Sequence, residues 1–281
     1  MNFWKMHGIG NDFLLVDGTA AGGADVVRQA REQAVALCDR RKGVGADGVI
    51  VVSPSDVADF RMRVFNADAS EAEMCGNGIR CFAKFVHDGG LLRKTDLNIE
   101  TGAGVLTTRA TLRGGVVDVV EVDMGEARLN PADVPVELEG GGGDPVISQP
   151  LVVDGRIWNI TCVSMGNPHC VVFVDDVAAF PVGHIGPLFE NHRAFPRRTN
   201  TEFVQVIGKS ELRMRVWERG SGETMACGTG ACAAAVAGSL TGRTTRDAIV
   251  HLAGGDLSIC WKPDNHVLMT GAAATVYTGV V

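Results

Sequence analysis

The sequence lacks the patterns of several common protein classes. No two of its eight cysteines have Cys-x-x-Cys spacing, and no two of its seven histidines have His-x-x-x-His spacing. The first absence argues against a dithiol redox protein, and both together give zinc little support. Positive charge is also scarce, since the formal net charge is −7. Binding to nucleic acid depends on phosphate contacts from a basic face, so nucleic acid is not expected as a partner.

The first residues lack the features of a targeting segment. Met1 to Lys5 form a strand-like opening, and no basic region leads into an apolar run. We therefore expect no signal peptide, no membrane span and a cytoplasmic location. The cysteines are spread through a long chain that is 46% apolar, so reduced thiols are expected rather than disulfides. Six of them have apolar neighbours and are predicted to be plain buried thiols: Cys38, Cys81, Cys162, Cys170, Cys232 and Cys260.

What the sequence does contain is an internal duplication. Arg61 to Ala83 matches Arg213 to Ala235 without a gap, at a constant offset of 152 positions (213 minus 61). The matched positions include one cysteine and two glycines per copy, namely Cys75, Gly76 and Gly78, and then Cys227, Gly228 and Gly230. A length of 281 residues suits about two domains of roughly 150 residues. The match therefore predicts a duplicated α/β unit that has kept one cysteine in each copy.

Both cysteines are predicted to lie at the start of a helix. An alternating stretch precedes each turn (residues 60–66 and 212–218) and predicts a strand, and an apolar stretch follows it (79–87 and 231–240) and predicts a helix. The first turn of a helix has unpaired N–H groups and partial positive charge, so it binds anions and favours a thiolate. Adjacent glycines let a ligand approach the backbone closely.

The rest of the chain is predicted to be mostly strands. Residues 3–7 and 13–17 form a hairpin, and Asp25 caps a first helix. Further strands are predicted at 49–52, 97–100, 105–112, 116–124, 156–162, 170–174, 201–207, 249–252, 257–261 and 267–270. The stretch 125–150 is expected to join the two halves. The final strand, 274–280, has no counterpart in the first half and is expected to complete the first domain.

Polar residues recur where predicted strands end. They are Asn11, Asn66, Asn167, His169, Asn200, Glu218 and Arg219. Each one alone has an ordinary structural explanation, as a turn residue, a buried histidine or a surface charge. Because several fall around the same two cysteine turns, together they favour a pocket.

Seven motifs carry a resemblance to the diaminopimelate epimerase family, and they span nearly the whole chain. They are the segments 5–13 (Lys-Met-His-Gly-Ile-Gly-Asn-Asp-Phe), 65–68 (Phe-Asn-Ala-Asp), 75–81 (Cys-Gly-Asn-Gly-Ile-Arg-Cys), 166–169 (Gly-Asn-Pro-His), 198–200 (Arg-Thr-Asn), 218–220 (Glu-Arg-Gly) and 226–230 (Ala-Cys-Gly-Thr-Gly). The resemblance implies an isomerase that interconverts LL- and meso-diaminopimelate in lysine and peptidoglycan precursor synthesis, without pyridoxal phosphate, metal or any other cofactor.

The same resemblance implies a fold. It is an α/β (α+β) fold with two pseudo-symmetric domains, each a mixed sheet or barrel curled around a central helix, with the active site in the cleft and often a homodimer. The expected domains are residues 1–125 with 271–281, which carry Cys75, and residues 126–270, which carry Cys227.

Site roles also follow from the resemblance. Cys75 and Cys227 correspond to the catalytic base and acid, and His169 to a residue beside them. The expected substrate-binding positions are Asn11, Asn66, Gly76, Asn77, Asn167, Asn200, Glu218, Arg219, Gly228 and Thr229. The sequence departs from the pattern at Gly48, where some members have a glutamine that contacts substrate.

Other functions could account for some of the same residues. A proline racemase-like enzyme also pairs two thiols, but its substrate has no second amino-acid end to explain Glu218, Arg219 and the asparagines. A thiol redox protein or a simple amino-acid-binding module could use the same helix ends. Proton exchange at the α-carbon of diaminopimelate would separate these alternatives.

Overall fold

The computed structural model describes residues 1–20, 22–140 and 143–281. The chain forms two compact units, which we call the N-terminal unit (Met1–Asp123 and Thr270–Val281) and the C-terminal unit (Met124–Met269). These limits lie one or two residues from the predicted domain boundaries. Of the stretch 125–150 that was expected to join the halves, residues 141 and 142 lie outside the described part of the chain.

The N-terminal unit is a mixed sheet around one helix. Its strands are β1 (Asn2–Gly8), β2 (Asn11–Asp17), β3 (Gly48–Ser53), β4 (Phe60–Asn66), β5 (Glu71–Ala72), β6 (Asp96–Thr101), β7 (Gly104–Arg113), β8 (Val116–Glu126) and β18 (Ala274–Val280). The pairing runs β18, β1, β2, β3, β4, β6, β7, β8, with β5 beside β4. Only β2 with β3 and β4 with β6 are parallel among these pairs. The expected return of the last strand is confirmed by its pairing with β1.

Two helices accompany this sheet. Helix α2 (Gly76–Asp88) is buried along all of residues 77–87 and contacts β1, β2, β3, β4 and β7, so it is the central helix. Helix α1 (Gly23–Cys38) packs Ala30, Ala34 and Leu37 into a core on the other side of the strands. The predicted cap was wrong, because the N-cap of α1 is Gly22, and Asp25 lies in the first turn and pairs with Arg28.

The C-terminal unit repeats this arrangement. Its strands are β9 (Gln149–Val153), β10 (Arg156–Ser164), β11 (Pro168–Phe173), β12 (Asn200–Gly208), β13 (Glu211–Glu218), β14 (Gly222–Thr224), β15 (Asp247–Leu252), β16 (Gly255–Trp261) and β17 (His266–Ala272). Pairing runs β9, β10, β11, β12, β13, β15, β16, with β14 beside β13. The central helix α4 (Gly228–Leu240) is rich in Ala and Gly and is buried on all sides, as a helix without a polar face must be.

One helix of the C-terminal unit was not predicted. Helix α3 (Val182–Glu190) begins after Pro181 and packs on β12, β13 and β14. Its Gly186 lies against Trp217, since a Cβ at Gly186 would come 2.5 Å from the indole ring. This contact positions the end of β13, where Glu218 lies.

The two units share a strand register, which confirms the duplicated α/β fold. Residue 13 of β2 pairs with residue 48 of β3, and residue 169 of β11 pairs with residue 200 of β12, both in parallel. Next along the sheet, Ile50 pairs with Val64, and Glu202 pairs with Val216. The offset of 152 found in the sequence therefore relates β3 and β4 to β12 and β13 as well as the cysteine turns, whereas β2 and β11 are related by an offset of 156 (169 minus 13).

Most of the cysteines outside the two turns are buried as predicted. Cys38, Cys81, Cys162, Cys170 and Cys232 are buried, but the prediction was wrong for Cys260, which is only partly buried. Burial raises the pKa of Cys38 to about 11 and that of Cys81 to about 12, so these thiols are neutral at physiological pH. Among the described residues, none of the helices is both long and apolar enough to cross a membrane.

Helix α2 also buries two cationic side chains, and each has hydrogen-bond partners. Lys84 donates to Asp88 Oδ2 at 2.8 Å and to the carbonyl of Val117 at 2.5 Å. Arg80 is fully buried and donates to the carbonyl of Gly76 and to Asn77 Oδ1, at 2.9 and 2.8 Å. Arg80 therefore supports the first turn of α2, next to Cys75.

The Lys84–Asp88 pair is predicted to be important for stability. Its side chains are only 11% and 10% exposed, so Lys84→Ala leaves a buried carboxylate without its cation. We expect a loss of about 3–5 kcal/mol, measured from urea midpoints followed by circular dichroism. Lys94→Ala is the matched control, because Lys94 pairs with Asp59 but is 55% exposed, and we expect about 0–1 kcal/mol there. Equal losses in the two variants would contradict this account.

Candidate active site

Cys75 lies at the N-cap of α2. Its backbone is extended, with φ −141° and ψ 115°, and its sulfur accepts the N–H of Gly78 at 3.3 Å. The thiol thus takes the place of the usual serine or aspartate cap, which satisfies one first-turn donor. Gly76 and Asn77 form the start of the same turn, where amides have no partner within their own helix. The geometry suits both ionisation of the thiol and anion binding by the backbone.

Asn11 and Asn77 adjoin the Cys75 thiol. The sulfur lies 3.7 Å from Asn11 Oδ1, and Asn77 Nδ2 donates to the same oxygen at 3.2 Å. Arg80 donates to Asn77 Oδ1, the other end of the same amide. The structure thus brings together Asn11, Asn77 and Cys75, which we call the N-terminal half-site.

A charged network fixes the far side of Asn11. Asn11 Nδ2 donates to Asp47 Oδ2 at 2.6 Å, and Arg40 bridges Asp47 and Asp12 at 2.8 and 2.6 Å. Lys5 also donates to Asp12. These contacts determine which atom of the Asn11 amide faces Cys75. None of the four charged residues was predicted to support the site.

Asn66 and Gly48 lie side by side on neighbouring strands of the N-terminal unit. They pair directly across β3 and β4, and Asn66 donates to Ser70 at 3.0 Å in the turn that follows. A Cβ at Gly48 would lie 2.7 Å from the carbonyl oxygen of Phe65, so this chain has no room for a side chain there. A glutamine at position 48 would require β4 to move.

Cys227 occupies the equivalent N-cap of α4. Its backbone is again extended, with φ −119° and ψ 108°, and the residue is 5% exposed. Its sulfur lies 3.5 Å from the hydroxyl of Thr229, which shares the first turn with Gly228. Asn167 Nδ2 donates to the same hydroxyl at 3.3 Å. We call Cys227, Thr229, Asn167 and the adjoining His169 the C-terminal half-site.

His169 is held on both sides. Its Nε2 lies 3.0 Å from Asn167 Oδ1, and its Nδ1 lies 2.7 Å from Glu202 Oε1. Neither the His169 nor the Glu202 side chain has any exposed surface. Glu202 was not predicted to belong to the site.

Asn200, Glu218 and Arg219 form a second cluster of this unit. Asn200 Oδ1 accepts the backbone N–H of Arg219 at 2.8 Å, while Thr224 donates to Glu218. Burial raises the pKa of the Glu218 carboxyl. The Arg219 guanidinium is exposed and donates to the carbonyl of Arg197 at 3.0 Å. The backbone of Arg219 is therefore fixed, whereas its side chain can exchange one carbonyl for a ligand.

The surroundings of Cys227 oppose its ionisation. Burial raises the pKa of its thiol well above the usual value, and the charges of Glu218 and Glu202 raise it further. A helix N-terminus alone would lower that pKa. Burial and the neighbouring carboxylates therefore outweigh the effect of the helix N-terminus at Cys227 and favour its protonated form.

Within the described part of the chain, no cluster of three or more His, Cys, Asp or Glu side chains is arranged to hold a metal ion. The groups that can act chemically are the two thiols, the first-turn amides of α2 and α4, and the polar side chains around them. Such a set suits proton transfer and the binding of a carboxylate.

A solved structure has the same fold. Hydroxyproline epimerase from Agrobacterium vitis, solved with trans-4-hydroxy-L-proline, superposes with a TM-score of 0.71 over 99% of this chain and 91% of that one. The sequences are 14% identical, so the likeness establishes the fold alone. The chain has an epimerase-type fold of two repeats.

Sequence comparison gives the family. The diaminopimelate epimerase family model matches residues 3–130 and 161–276. Diaminopimelate epimerase from Moorella thermoacetica is 57% identical, covering 99% of this chain and 98% of the relative. The enzyme of that name from Synechococcus elongatus is 54% identical, covering 99% and 97%. This chain belongs to the diaminopimelate epimerase family and is an isomerase.

The network behind Asn11 gives a prediction about pH. Burial alone would raise the pKa of Asp12, but hydrogen bonds from Arg40 and Lys5 lower it from 3.8 to about 2. Because the folded-state pKa lies below the unfolded one, the associated stability is complete above the unfolded pKa and is lost as pH falls through about 2. Asp12→Asn should therefore cost about 2 kcal/mol at pH 7 and progressively less below about pH 4.

Urea midpoints of the variant and the original chain, taken at several pH values, measure this difference. Asp25→Asn is the control, because the Asp25–Arg28 pair is 68% and 58% exposed and should contribute little. A cost for Asp12→Asn that stayed constant between pH 7 and about pH 3 would show that its charge is not responsible.

Proposed function

We propose that this chain interconverts LL- and meso-2,6-diaminopimelate by proton transfer at the α-carbon, with Cys75 and Cys227 as the transferring groups. The observation that carries the proposal is the equivalent placement of the two thiols, each at the N-cap of a central helix, in a member of this family. Inversion of a carbon needs a base on one face and an acid on the other. In one direction Cys75 is the base and Cys227 the acid, and in the other direction they exchange roles.

The first-turn amides are proposed to bind the reacting carboxylate. Removing the α-proton places negative charge on that carboxylate, and amides aimed at developing charge stabilise a transition state most effectively. Gly76 and Asn77 supply these amides in α2, and Gly228 and Thr229 supply them in α4. Neither pair requires a cation.

The sizes of the energy contributions indicate which groups lower the reaction barrier most. A thiol of pKa about 8.5 is only about 3% ionised at pH 7, and lowering that pKa by about 1.5 units needs about 2 kcal/mol. A helix N-terminus contributes about 0.3–2 kcal/mol, which is enough for ionisation but small beside the ~8–23 kcal/mol by which enzymes lower barriers. The larger share is therefore assigned to amide hydrogen bonds and to exclusion of water.

The distal end of the substrate is proposed to bind the second polar cluster. Diaminopimelate has an amino group and a carboxylate at each end. Arg219 would take the distal carboxylate through its planar guanidinium, and Glu218 would face an ammonium group. Asn11, Asn66, Asn167 and Asn200 complete the proposed set, with His169 supporting the C-terminal half-site.

Further features of the proposal follow from family membership. The reaction proceeds without pyridoxal phosphate, metal or another cofactor, in the cytoplasm, as a step of lysine and peptidoglycan precursor synthesis. The enzyme is a homodimer, with domains of residues 1–125 plus 271–281 and 126–270.

A proline racemase-like activity is the alternative, and the fold likeness to hydroxyproline epimerase is compatible with it. The relatives named above favour diaminopimelate.

The two-thiol assignment predicts the origin of the new proton. Starting from the LL isomer in heavy water, early meso product should carry deuterium at the inverted centre, because the donor thiol is a different group from the acceptor. Mass spectrometry and proton NMR of the first few per cent of product measure this. Early product that kept its original hydrogen would point to a single shared base and contradict the assignment.

Removal of either thiol should stop epimerisation. We expect Cys75→Ala and Cys227→Ala to lose activity by at least about 10²–10⁴-fold, the usual contribution of a general acid or base, with unchanged circular dichroism. Cys260→Ala is the control, because this partly buried cysteine lies on β16, outside both half-sites. Substantial turnover by either of the first two variants would exclude that thiol from proton transfer.

Specificity is predicted to depend on Arg219. Arg219→Met should lower kcat/KM for diaminopimelate by about 2–4 kcal/mol, since it leaves the distal carboxylate without its partner. Arg213→Met, at an exposed arginine within β13, is the control and should change little. The original chain should turn over lysine or proline very poorly. Normal turnover of diaminopimelate by Arg219→Met, or comparable turnover of lysine or proline, would exclude this role.

A further inference from the structure

The two units differ in charge at three equivalent positions around their cysteines. Glu202 and Glu218 lie at the positions of Ile50 and Asn66, both at the offset of 152. His169 lies at the position of Phe13, since both residues pair with equivalent residues of the next parallel strand. The unit that holds Cys227 therefore has two carboxylates and an imidazole where the unit that holds Cys75 has neutral side chains.

The fold does not require the His169–Glu202 pair. Its counterparts, Phe13 and Ile50, are 3% and 0% exposed, so an apolar pair fills the same buried place in the other unit. A buried ion pair is often less stabilising than apolar side chains of similar volume. Glu202 Oε2 moreover is buried without a hydrogen-bond partner among the described residues, which adds a desolvation cost. A costly arrangement that the repeat shows to be dispensable for folding points to a role in the reaction.

The carboxylate of Glu202 lies against the start of α4. A Cβ built on Gly230 would come 2.7 Å from Glu202 Oε1 and 3.2 Å from the Cys227 sulfur. The glycine thus allows the carboxylate and the thiol to approach the same turn from two sides. In the other unit, a Cβ on Gly78 would come 2.7 Å from Ile50 Cδ1, so the packing is the same and only the charge differs.

A chain of contacts connects Glu202 with the thiol. Glu202 Oε1 lies 2.7 Å from His169 Nδ1, and His169 Nε2 lies 3.0 Å from Asn167 Oδ1. Asn167 then donates to the Thr229 hydroxyl at 3.3 Å, which lies 3.5 Å from the Cys227 sulfur. The buried carboxylate is therefore linked to the thiol by an unbroken series of contacts.

We propose that Glu202 is a positioning residue for the reaction: its carboxylate fixes the His169 ring, and through His169 it fixes Asn167 and the Thr229 hydroxyl at the Cys227 thiol. This rests on the function proposed above. Loss of the carboxylate removes the partner of His169 Nδ1, so the ring no longer holds Asn167 in place. The hydroxyl beside the thiol is then no longer held in one orientation.

Other titratable groups act on the same pair. Glu218 on β13, Cys227 at the start of α4 and Cys170 on β11 all interact electrostatically with His169 or Glu202. The charge of Glu202 raises the pKa of the Cys227 thiol, so removing that charge favours the deprotonated form of Cys227. The alkaline limb of the pH profile, where the proton donor loses its proton, should therefore move to lower pH.

The first test is Glu202→Gln, which keeps the shape of the side chain and removes its charge. We expect kcat for diaminopimelate to fall about 10²-fold with KM changed less than about threefold, because the first-turn amides and Arg219 still bind the substrate. The alkaline limb of kcat/KM should shift to lower pH, which a merely structural role would not produce. Glu100→Gln is the control, since Glu100 bonds Ser55 in the N-terminal unit, and its activity should be unchanged.

The second test replaces the His169–Glu202 pair with the apolar residue types found at the equivalent positions of the N-terminal unit. The double variant His169→Phe with Glu202→Ile should fold with a Tm equal to or above that of the original chain, yet lose at least about 10²-fold in kcat. Circular dichroism and thermal melting require no substrate. A double variant that is several degrees less stable would overturn the claim that the fold does not need the pair.

The outcomes separate this proposal from the proposed function. If the unmodified protein does not epimerise diaminopimelate, the proposed function itself is refuted. If the unmodified protein is active, and Glu202→Gln has a normal kcat and an unshifted pH profile, only the role of Glu202 is refuted. Activity lost solely in proportion to unfolded protein, with the pH profile unchanged, also refutes that role.

Discussion

The first turn of a buried helix is the constraint on which this structure depends. The amides of such a turn have no partner within the helix, and burial makes it costly to leave them unsatisfied. In α2 the Cys75 sulfur accepts one of them, and Arg80 and Asn77 secure the residues beside it. Enclosing each central helix in a sheet therefore creates a place where an anion and a thiol are both stabilised. The first-turn amides, whose hydrogen bonds the fold must satisfy, are thus the groups that the proposed function uses to bind a carboxylate.

Duplication produces two such places, and sequence divergence makes them unequal. Cys75 is partly exposed and has neutral residues at the three compared positions, whereas Cys227 is buried with Glu202, Glu218 and His169. A symmetric pair of thiols would titrate alike, which does not suit a reaction that needs one proton acceptor and one donor at the same pH. In our proposal, this difference is assigned to the charged side chains of the C-terminal unit.

Much of the fold could be predicted from sequence because its main signals are local or repeated. The duplicated segments, the turn glycines and the alternating strands predicted both central helices and most strands to within a few residues. Helix α3 was missed since its nine residues contain two glycines and a proline, and no helical periodicity is visible. The Asp25 cap was wrong because Gly22, with φ 92°, ends the preceding loop and begins α1 instead.

Contacts within the candidate site could be predicted only in part. Asn11, Asn77, Asn167 and Thr229 were expected beside the cysteines by motif, and they contact them or each other in the structure. Asp47, Arg40 and Glu202 were missed because they act through another residue across a sheet. One signal for Glu202 was present, since a charged residue aligned with Ile50 of the other copy is unusual in a buried strand.

The central claim, that two equivalent helix ends hold two unequal thiols, is tested most directly by labelling both cysteines in one sample. Iodoacetamide modification of the unmodified chain, followed by peptide mass spectrometry over about pH 6 to 10, gives a separate rate for each thiol. The account predicts that Cys75 is labelled first at every pH and that the rate at Cys227 rises only at the alkaline end. Equal rates, or faster labelling of Cys227 at neutral pH, would contradict it.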